Sequence, residues 1–227
     1  MADKKINAGD YATITFDCYG TLIDVENGVL GYLQPLLQSY YINAIDEFVL
    51  GLFQQLEPGA RDQGGSYREV LARVTQGFAT RLAFTTTEET LNGLADSVQY
   101  WQPFPDTHDA LARLKPHFKL GVISDIDDDL LASSRPLLDI DFDLVVTASQ
   151  VGVFKPDHAV FKEALSRADG PVLHVAQSYG HDIAPATELG IDTVRINRPS
   201  VSPARPTQPE ATWAFASMAE FAEAMVS

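Results

Sequence analysis

The sequence predicts an α/β protein: a doubly wound, mostly parallel sheet core interrupted by an inserted all-helical cap. Three features predict it. From about residue 103 onward, short apolar strand-like runs alternate with amphipathic helical ones, the pattern of parallel strands joined by right-handed crossovers. Ahead of that alternation a lone strand-like segment, Tyr11 to Asp17, breaks into a polar turn at Tyr19, Gly20 and Thr21. Between the two, from about Asn27 to Trp101, apolar residues recur at three- and four-residue spacing and no strand is evident. The expected boundaries are 1–24 and 102–227 for the core and 25–101 for the cap.

Each element follows from a local pattern. In the cap, VLGYLQPLLQSY, IDEFVLGLFQQL, YREVLARVTQGFATRL and EETLNGLADSV read as helices. Pro58 with Gly59, Gly64 with Gly65, and Thr85 to Thr87 read as their connections, and Glu88 and Glu89 suit a helix N-terminus. After Pro103 and Pro105 the order is helix THDALARLK, strand FKLGVIS, helix DDLLASSRPLL, strand FDLVVTA, helix HAVFKEALSRA, strand VLHVAQ, helix IAPATELG and strand DTVRIN. Asn197 to Glu210 is expected to be a proline-rich loop, and the tail ATWAFASMAEFAEAMVS a last short strand and helix.

Composition narrows the function classes. The chain has 227 residues, 45% of them hydrophobic, and no apolar run approaches the ~20 residues of a membrane span. The first residues lack the apolar stretch of a secretory signal, so cytoplasmic residence is the expectation. Cys18 is the only cysteine, which excludes an internal disulfide and a thiolate metal cluster. A net charge of -15 with no local Lys/Arg cluster argues against nucleic-acid or membrane-surface partners. A small-molecule substrate, even an anionic one, remains compatible with it, and a homodimer is left open.

In an open parallel sheet the ligand sits beyond the carboxyl ends of the strands. Those ends supply Asp17, Ser124 with Asp125, Lys155 and Asp182. Every one has an ordinary structural use: Asp17 as a turn cap, Lys155 as a surface lysine beside a proline, Thr21 and Ser124 as turn hydroxyls, Asp182 as a helix N-cap. Cys18, one step along from Asp17, should face the other way as a small buried residue. His174 reads as a core residue, and His181 as either a partner of Asp182 or an exposed loop residue. Asp127, Asp128 and Asp129 read as a negatively charged helix start rather than a calcium loop.

In order, FDCYGTLID, VISD, VFKP and QSYGHD resemble the four motifs of the haloacid dehalogenase superfamily, and the resemblance spans nearly the whole chain. It implies that Asp17 is a nucleophile forming an ester that water then hydrolyses. Lys155 would keep Asp17 ionised, Thr21 and Ser124 would orient carboxylate oxygens, and Asp182 would activate or position the water. Superfamily phosphatases carry a second aspartate two positions after the nucleophile, where this chain has Tyr19. They also carry an acidic magnesium ligand where it has Gln177. Both departures point away from phosphoryl transfer and toward the L-2-haloacid dehalogenases, which share the Asp-x-Tyr pattern and release a halide that needs no proton. No metal and no cofactor are expected.

The resemblance also implies residues that touch substrate: Tyr19, Asp125, Gln177 and Tyr179. Here the chain departs from the dehalogenases, which have asparagine at Asp125, tyrosine at Phe161, and serine and asparagine at Gln177 and Tyr179. The arginine those enzymes carry early in the cap is missing from Tyr40 to Glu57. A cap cation is still expected, because Lys155 alone would leave an anionic substrate facing net negative charge. Arg61, Arg68, Arg73 and Arg81 are the candidates. Arg68 and Arg73 are favoured, because YREVLARVTQGF would hold them on a rigid amphipathic helix. The leading expectation is hydrolysis of small (S)-2-haloacids to 2-hydroxy acids. The alternatives are opening of a strained amine such as azetidine-2-carboxylate, with Asp125 holding the ammonium, a small-metabolite phosphatase, and a non-catalytic binding relative.

Overall fold

The computed structural model describes residues 6–198 and 210–227. Most of the proline-rich stretch expected at Asn197 to Glu210 lies outside them. Among the described residues one sheet has the order β3-β2-β1-β4-β5-β6, and every neighbouring pair is parallel. Its strands are β1 (Thr13–Phe16), β2 (Lys119–Ser124), β3 (Leu144–Thr147), β4 (Val172–Ala176), β5 (Asp192–Ile196) and β6 (Trp213–Phe215). Crossover helices α5 (Thr107–Leu114), α6 (Asp128–Leu138), α7 (Ala148–Val151), α8 (His158–Arg167) and α9 (Ala184–Glu188) join them, and α10 (Met218–Val226) closes the fold. The doubly wound α/β class expected from the alternation is the class observed.

β1 holds the centre because TITF is apolar or β-branched throughout and buried on both faces, as a strand covered by helices on each side must be. Phe16 pairs with Val122 on one side and Val175 on the other. Chain order runs outward from β1 through β2 to β3, then returns to β4 on the opposite side, so the winding reverses beside β1. That reversal opens a crevice at the carboxyl ends of β1, β2 and β4.

Between β1 and α5 lie α1 (Val25–Ser39), α2 (Asp46–Arg61), α3 (Tyr67–Leu82) and α4 (Glu88–Asp96), followed by one 3-10 turn. α3 begins with a capping box: the Glu69 amide donates to Ser66 Oγ and the Ser66 amide to the Glu69 carboxylate, satisfying two otherwise unpaired donors. One boundary differs from expectation. Pro58 and Gly59 do not interrupt α2, which continues through them to Arg61. Pro58 has no amide to bond the Gln54 carbonyl one turn back, and Val49, Leu50, Leu52, Phe53 and Ala60 on the buried face hold the helix against its neighbours despite that loss. No helix among the described residues is long and apolar enough to cross a membrane.

Candidate active site

Asp17 follows β1 directly, and its amide donates to Val175 O of β4 at 3.0 Å, so the backbone fixes where the carboxylate starts. The chain then turns sharply through Gly20, whose φ of 99° suits a residue without a Cβ. This turn brings Thr21 back over Asp17, with its hydroxyl donating to Oδ2 at 2.7 Å. Thr21 Oγ1 also accepts the Gln177 amide at 3.0 Å, locking the turn to the end of β4. Cys18 points into the core and is fully buried.

Lys155, beyond β3 and α7, reaches across with Nζ 2.7 Å from Asp17 Oδ1, 2.7 Å from Asp182 Oδ1 and 3.3 Å from the Ile123 carbonyl. Its own amide donates to Asp125 Oδ1 at 2.7 Å. One buried ammonium thus faces two buried carboxylates, and the two aspartates come out differently. Burial pushes the Asp182 carboxyl up, but the Lys155 ammonium and a His174 hydrogen bond outweigh it and hold it at about 2. At Asp17 burial prevails over the attraction of Lys155, with the charge of Asp182 adding to it, and the carboxyl is raised above the usual range. The same carboxylates raise Lys155 against the effect of its burial and keep it charged.

These groups line a cavity of about 100 Å³ together with Tyr19, Val25, Arg61, Tyr67, Trp101, Ser124, Asp125, Ile126, Ser178 and His181. The cavity has room for a few water molecules or one small organic acid. Tyr19 has its hydroxyl turned to Ser134 Oγ at 2.7 Å, and its ring meets Trp101 edge-on at 6.1 Å. Burial pushes the Tyr19 phenol up, so it is no acid near neutral pH. Ser124 lines the wall, while the bonds to the Asp17 oxygens come from Thr21 and Lys155.

The helical insert contributes Arg61, at the end of α2. Its Nη1 donates to Asp125 Oδ2 at 2.5 Å, its Nε pairs with Glu57, and its guanidinium lies 5.2 Å from the ring centres of both Tyr67 and Phe154. Arg68 and Arg73 do not line the cavity, which corrects the preference for them. Arg68 extends outward to Asp96 and Asp129, and Arg73 folds back onto the carbonyls of Ala60 and Gly64. The start of α3 is instead held by its backbone: the amides of Tyr67 and Arg68 donate to the two oxygens of Asp127 at 3.0 and 2.8 Å. Asp128 and Asp129 lie in the first turn of α6, as a negative helix start should.

Two further residues expected to touch substrate lie elsewhere. Gln177 lines a neighbouring, more apolar cavity of about 170 Å³ that shares Tyr19 and Val25 with the first. Tyr179 stacks under the Arg195 guanidinium at 4.5 Å and is not part of the cavity wall. His181 does line it. Sequence reasoning passed over Tyr67 and Trp101, whose helical periodicity gave no sign of which face would meet the strand ends.

The donors do not fit a resident divalent cation. Asp17 and Asp182 already share the Lys155 ammonium, Tyr19 and Gln177 bring no negative charge, and hard cations need anionic oxygen. Among the described residues no group of three His, Cys, Asp or Glu side chains is arranged to hold a metal.

Comparison with known proteins agrees with this architecture. The model of the haloacid dehalogenase-like hydrolases matches residues 11–185, and the chain belongs to that family. An (S)-2-haloacid dehalogenase of Pseudomonas sp. strain CBS-3 is 27% identical over 194 residues, covering 81% of this chain and 83% of that protein. The crystal structure of an L-2-haloacid dehalogenase superposes with a TM-score of 0.79 at 21% identity, covering 93% of this chain and 97% of the other. The L-2-haloacid dehalogenase of Xanthobacter autotrophicus, solved with chloropropionic acid covalently bound, gives 0.76 at 19% identity, over 93% and 96% of the two chains.

Proposed function

We propose that this hydrolase cleaves the carbon–halogen bond of small (S)-2-haloacids to give 2-hydroxy acids, through an ester on Asp17. The observation that carries the reading is the buried Asp17–Lys155–Asp182 chain at the floor of a small cavity with Arg61 in its wall. The names of relatives sharing four-fifths of the chain support the same chemistry. In this reading residues 25–101 are a cap over the strand ends.

The chemistry follows from the groups present. An Asp17 oxygen attacks the carbon bearing halogen from its back side; the carbon–oxygen bond forms as the carbon–halogen bond breaks, and halide leaves with the electron pair. Halide needs no proton, which suits a site whose tyrosine is turned away onto Ser134. Water then attacks the carboxyl carbon of Asp17, next to Asp182, and the 2-hydroxy acid is expelled. Lys155 balances the charge that develops in both steps. Arg61 supplies the cavity's second cation for the substrate carboxylate or the departing halide. Tyr19, Val25, Tyr67, Trp101 and Ile126 exclude bulk water and strengthen these interactions.

Asp125 separates this reading from the ring-opening alternative. An ammonium-bearing substrate needs a free carboxylate, and both Asp125 oxygens are engaged, one by the Lys155 amide and one by Arg61. The test is a single turnover of 2-chloropropionate in heavy-oxygen water, followed by mass analysis of the peptide bearing Asp17. Label is expected in the Asp17 carboxylate. Halide release with label only in the product would overturn the covalent route, and absence of halide release across a 2-haloacid series would overturn the substrate class.

A further inference from the structure

Tyr19 and Val25 line both the cavity that holds Asp17 and the neighbouring cavity of about 170 Å³. Like the first, the second lies between the insert and the strand ends: Val29 comes from α1, Leu50, Phe53 and Gln54 from α2, and Gln177 from the turn after β4. Gln177 and Ser178, adjacent in the chain, line one cavity each. The Gln177 amide donates to Thr21 Oγ1, and the Thr21 hydroxyl donates to Asp17, so this wall stands two hydrogen bonds from the Asp17 carboxylate. Folded interiors leave few voids larger than a water molecule, and an empty apolar cavity of this size costs stability. A concave apolar space beside a reacting group is where a ligand's apolar part is held.

The two cavities divide a 2-haloacid between them. Arg61 and Tyr67 line the first and not the second, so a carboxylate drawn to Arg61 leaves the wall of Tyr19 and Val25 to the remaining substituent on C2. A methylene takes up about the 30 Å³ of a water molecule in the liquid, so the space beyond that wall accommodates about four to six carbons. Val29, Leu50, Phe53 and Phe104 make it apolar. Its charged lining residues are Asp24 and Glu26, and no Lys or Arg lines it among the described residues. The Asp24 carboxylate is fixed as the N-cap of α1, accepting the Asn27 amide at 3.1 Å and the Asn27 side-chain amide at 2.6 Å. A negatively charged chain end would meet like charge there with no cation to offset it, whereas the amides of Gln54 and Gln177 are neutral.

We infer that the substrate carries on C2 an uncharged chain of about four to six carbons, seated in the second cavity beyond Tyr19 and Val25. The inference rests on the 2-haloacid reading above and narrows it to 2-haloalkanoates longer than 2-chloropropionate. Leu50, Phe53 and Gln54 then determine chain length, and Asp24 and Glu26 exclude a second carboxylate at the chain's end.

The test sets 2-chlorohexanoate against 2-chloropropionate and against 2-chloroadipate, which has the same carbon chain ending in a carboxylate. A fully buried methylene contributes about fourfold, so the three added by 2-chlorohexanoate should raise kcat/KM about 10- to 50-fold over 2-chloropropionate. 2-Chloroadipate should lose that gain. Gln54→Trp fills the second cavity and should bring the ratio of the two monoacids to about one, whereas Leu50→Ala enlarges it and should move the preference to 2-chlorooctanoate. Ratios within one variant cancel any general damage to the enzyme. A second measurement needs no turnover: in titration calorimetry hexanoate should bind the parent about 10- to 50-fold more tightly than propionate, and the gain should vanish in Gln54→Trp. A parent indifferent to chain length would overturn the inference while halide release from 2-chloropropionate left the reading above intact. If no haloacid released halide, that reading would fall, and the calorimetry by itself would decide for or against the chain site. Equal loss on both monoacids in Gln54→Trp would make the second cavity a passage for water or halide and overturn the inference as well.

Discussion

Asp17, Lys155 and Asp182 enter the cavity from the core, Arg61 and Tyr67 from the helical insert, and the two sets are held in different ways. Asp17 follows β1 directly with its amide bonded to β4, and Lys155 and Asp182 come from the segments that follow β3 and β4, with the Lys155 ammonium bonded to both carboxylates at 2.7 Å. The insert residues lie at the end of one helix and the start of the next. They are held to the core through Asp125 and Asp127, and their side chains meet through a guanidinium over a ring. A strand end allows little positional freedom, whereas a helix end is set by packing along the whole helix. The core should therefore control whether chemistry occurs, and the insert how well substrate is held.

Four changes test that division, beginning with the largest effect. Asp17→Asn removes the proposed nucleophile and should lower turnover by about four orders of magnitude while circular dichroism and thermal midpoint stay near the parent's. Activity within tenfold, with deamidation excluded by mass, would remove Asp17 from its role. Lys155→Met should lower kcat by about a hundredfold or more. It should also destabilise the fold by about 3–5 kcal/mol at neutral pH, because Asp17 and Asp182 would be left buried without their cation. Denaturant unfolding measures the second effect, and a change below about 1 kcal/mol would mean that the two carboxylates are neutral in the folded protein.

Arg61→Ala should raise KM for 2-chloropropionate by about 10- to 100-fold with a smaller change in kcat, whereas Arg68→Ala and Arg73→Ala stay within about twofold. Equal effects at all three positions would erase the distinction between a cation in the cavity wall and cations on the helix surface. The smallest expected effect is none: exhaustive chelation should leave turnover unchanged, and restoration by magnesium after a loss would revive the phosphatase alternative.

The pH dependence sharpens the core's side of the comparison. In the proposed reaction Asp17 must be ionised to attack, and its carboxyl is raised, so kcat/KM should fall on acidification with a midpoint above the ordinary carboxylate value. The stability effects of the two aspartates have opposite signs. Asp182, held at about 2, adds stability that is fully present above its unfolded value and is lost as pH falls toward 2. Asp17, raised in the folded state, adds stability only on the acid side and loses it as pH rises through its folded value. Acid unfolding of Asp182→Asn and Asp17→Asn should therefore shift in opposite directions.

Much of the core site was legible in the sequence, because a strand followed by a polar turn places its next residue at the sheet's carboxyl edge whatever else the fold does. Asp17, Thr21, Ser124, Lys155 and Asp182 were reached that way, with the ordered motifs supplying their roles. Local chemistry failed where a local rule lost to packing. Pro58 and Gly59 read as the end of a helix, yet α2 passes through both and carries Arg61 to the cavity. Amphipathicity placed Arg68 and Arg73 on a rigid helix, but it cannot say which side of that helix meets a surface formed by residues 60 positions away. Tyr179 and Gln177 were placed by motif alone, and the turn after β4 sends them to other neighbours.

His174 is the plainest case of what each level of information decides. Its apolar neighbours on β4 determine that it is buried, since a parallel strand covered on both faces has no solvent side. The sequence likewise determined the class of fold, the order of the segments that carry the four motifs and the absence of an acid at Tyr19, because strand ends, chain order and side-chain chemistry are local properties. Only the tertiary structure decided that the buried ring meets Asp182 on one side and Thr15 on the other, and that Arg61 rather than Arg68 lies in the cavity wall. Thr15 and His174 are far apart in the chain, as are Arg61 and Asp125, and even the short step from His174 to Asp182 passes through a turn whose course depends on packing; these contacts are fixed by how the sheet orders its strands and by where the helices of the insert come to rest against it.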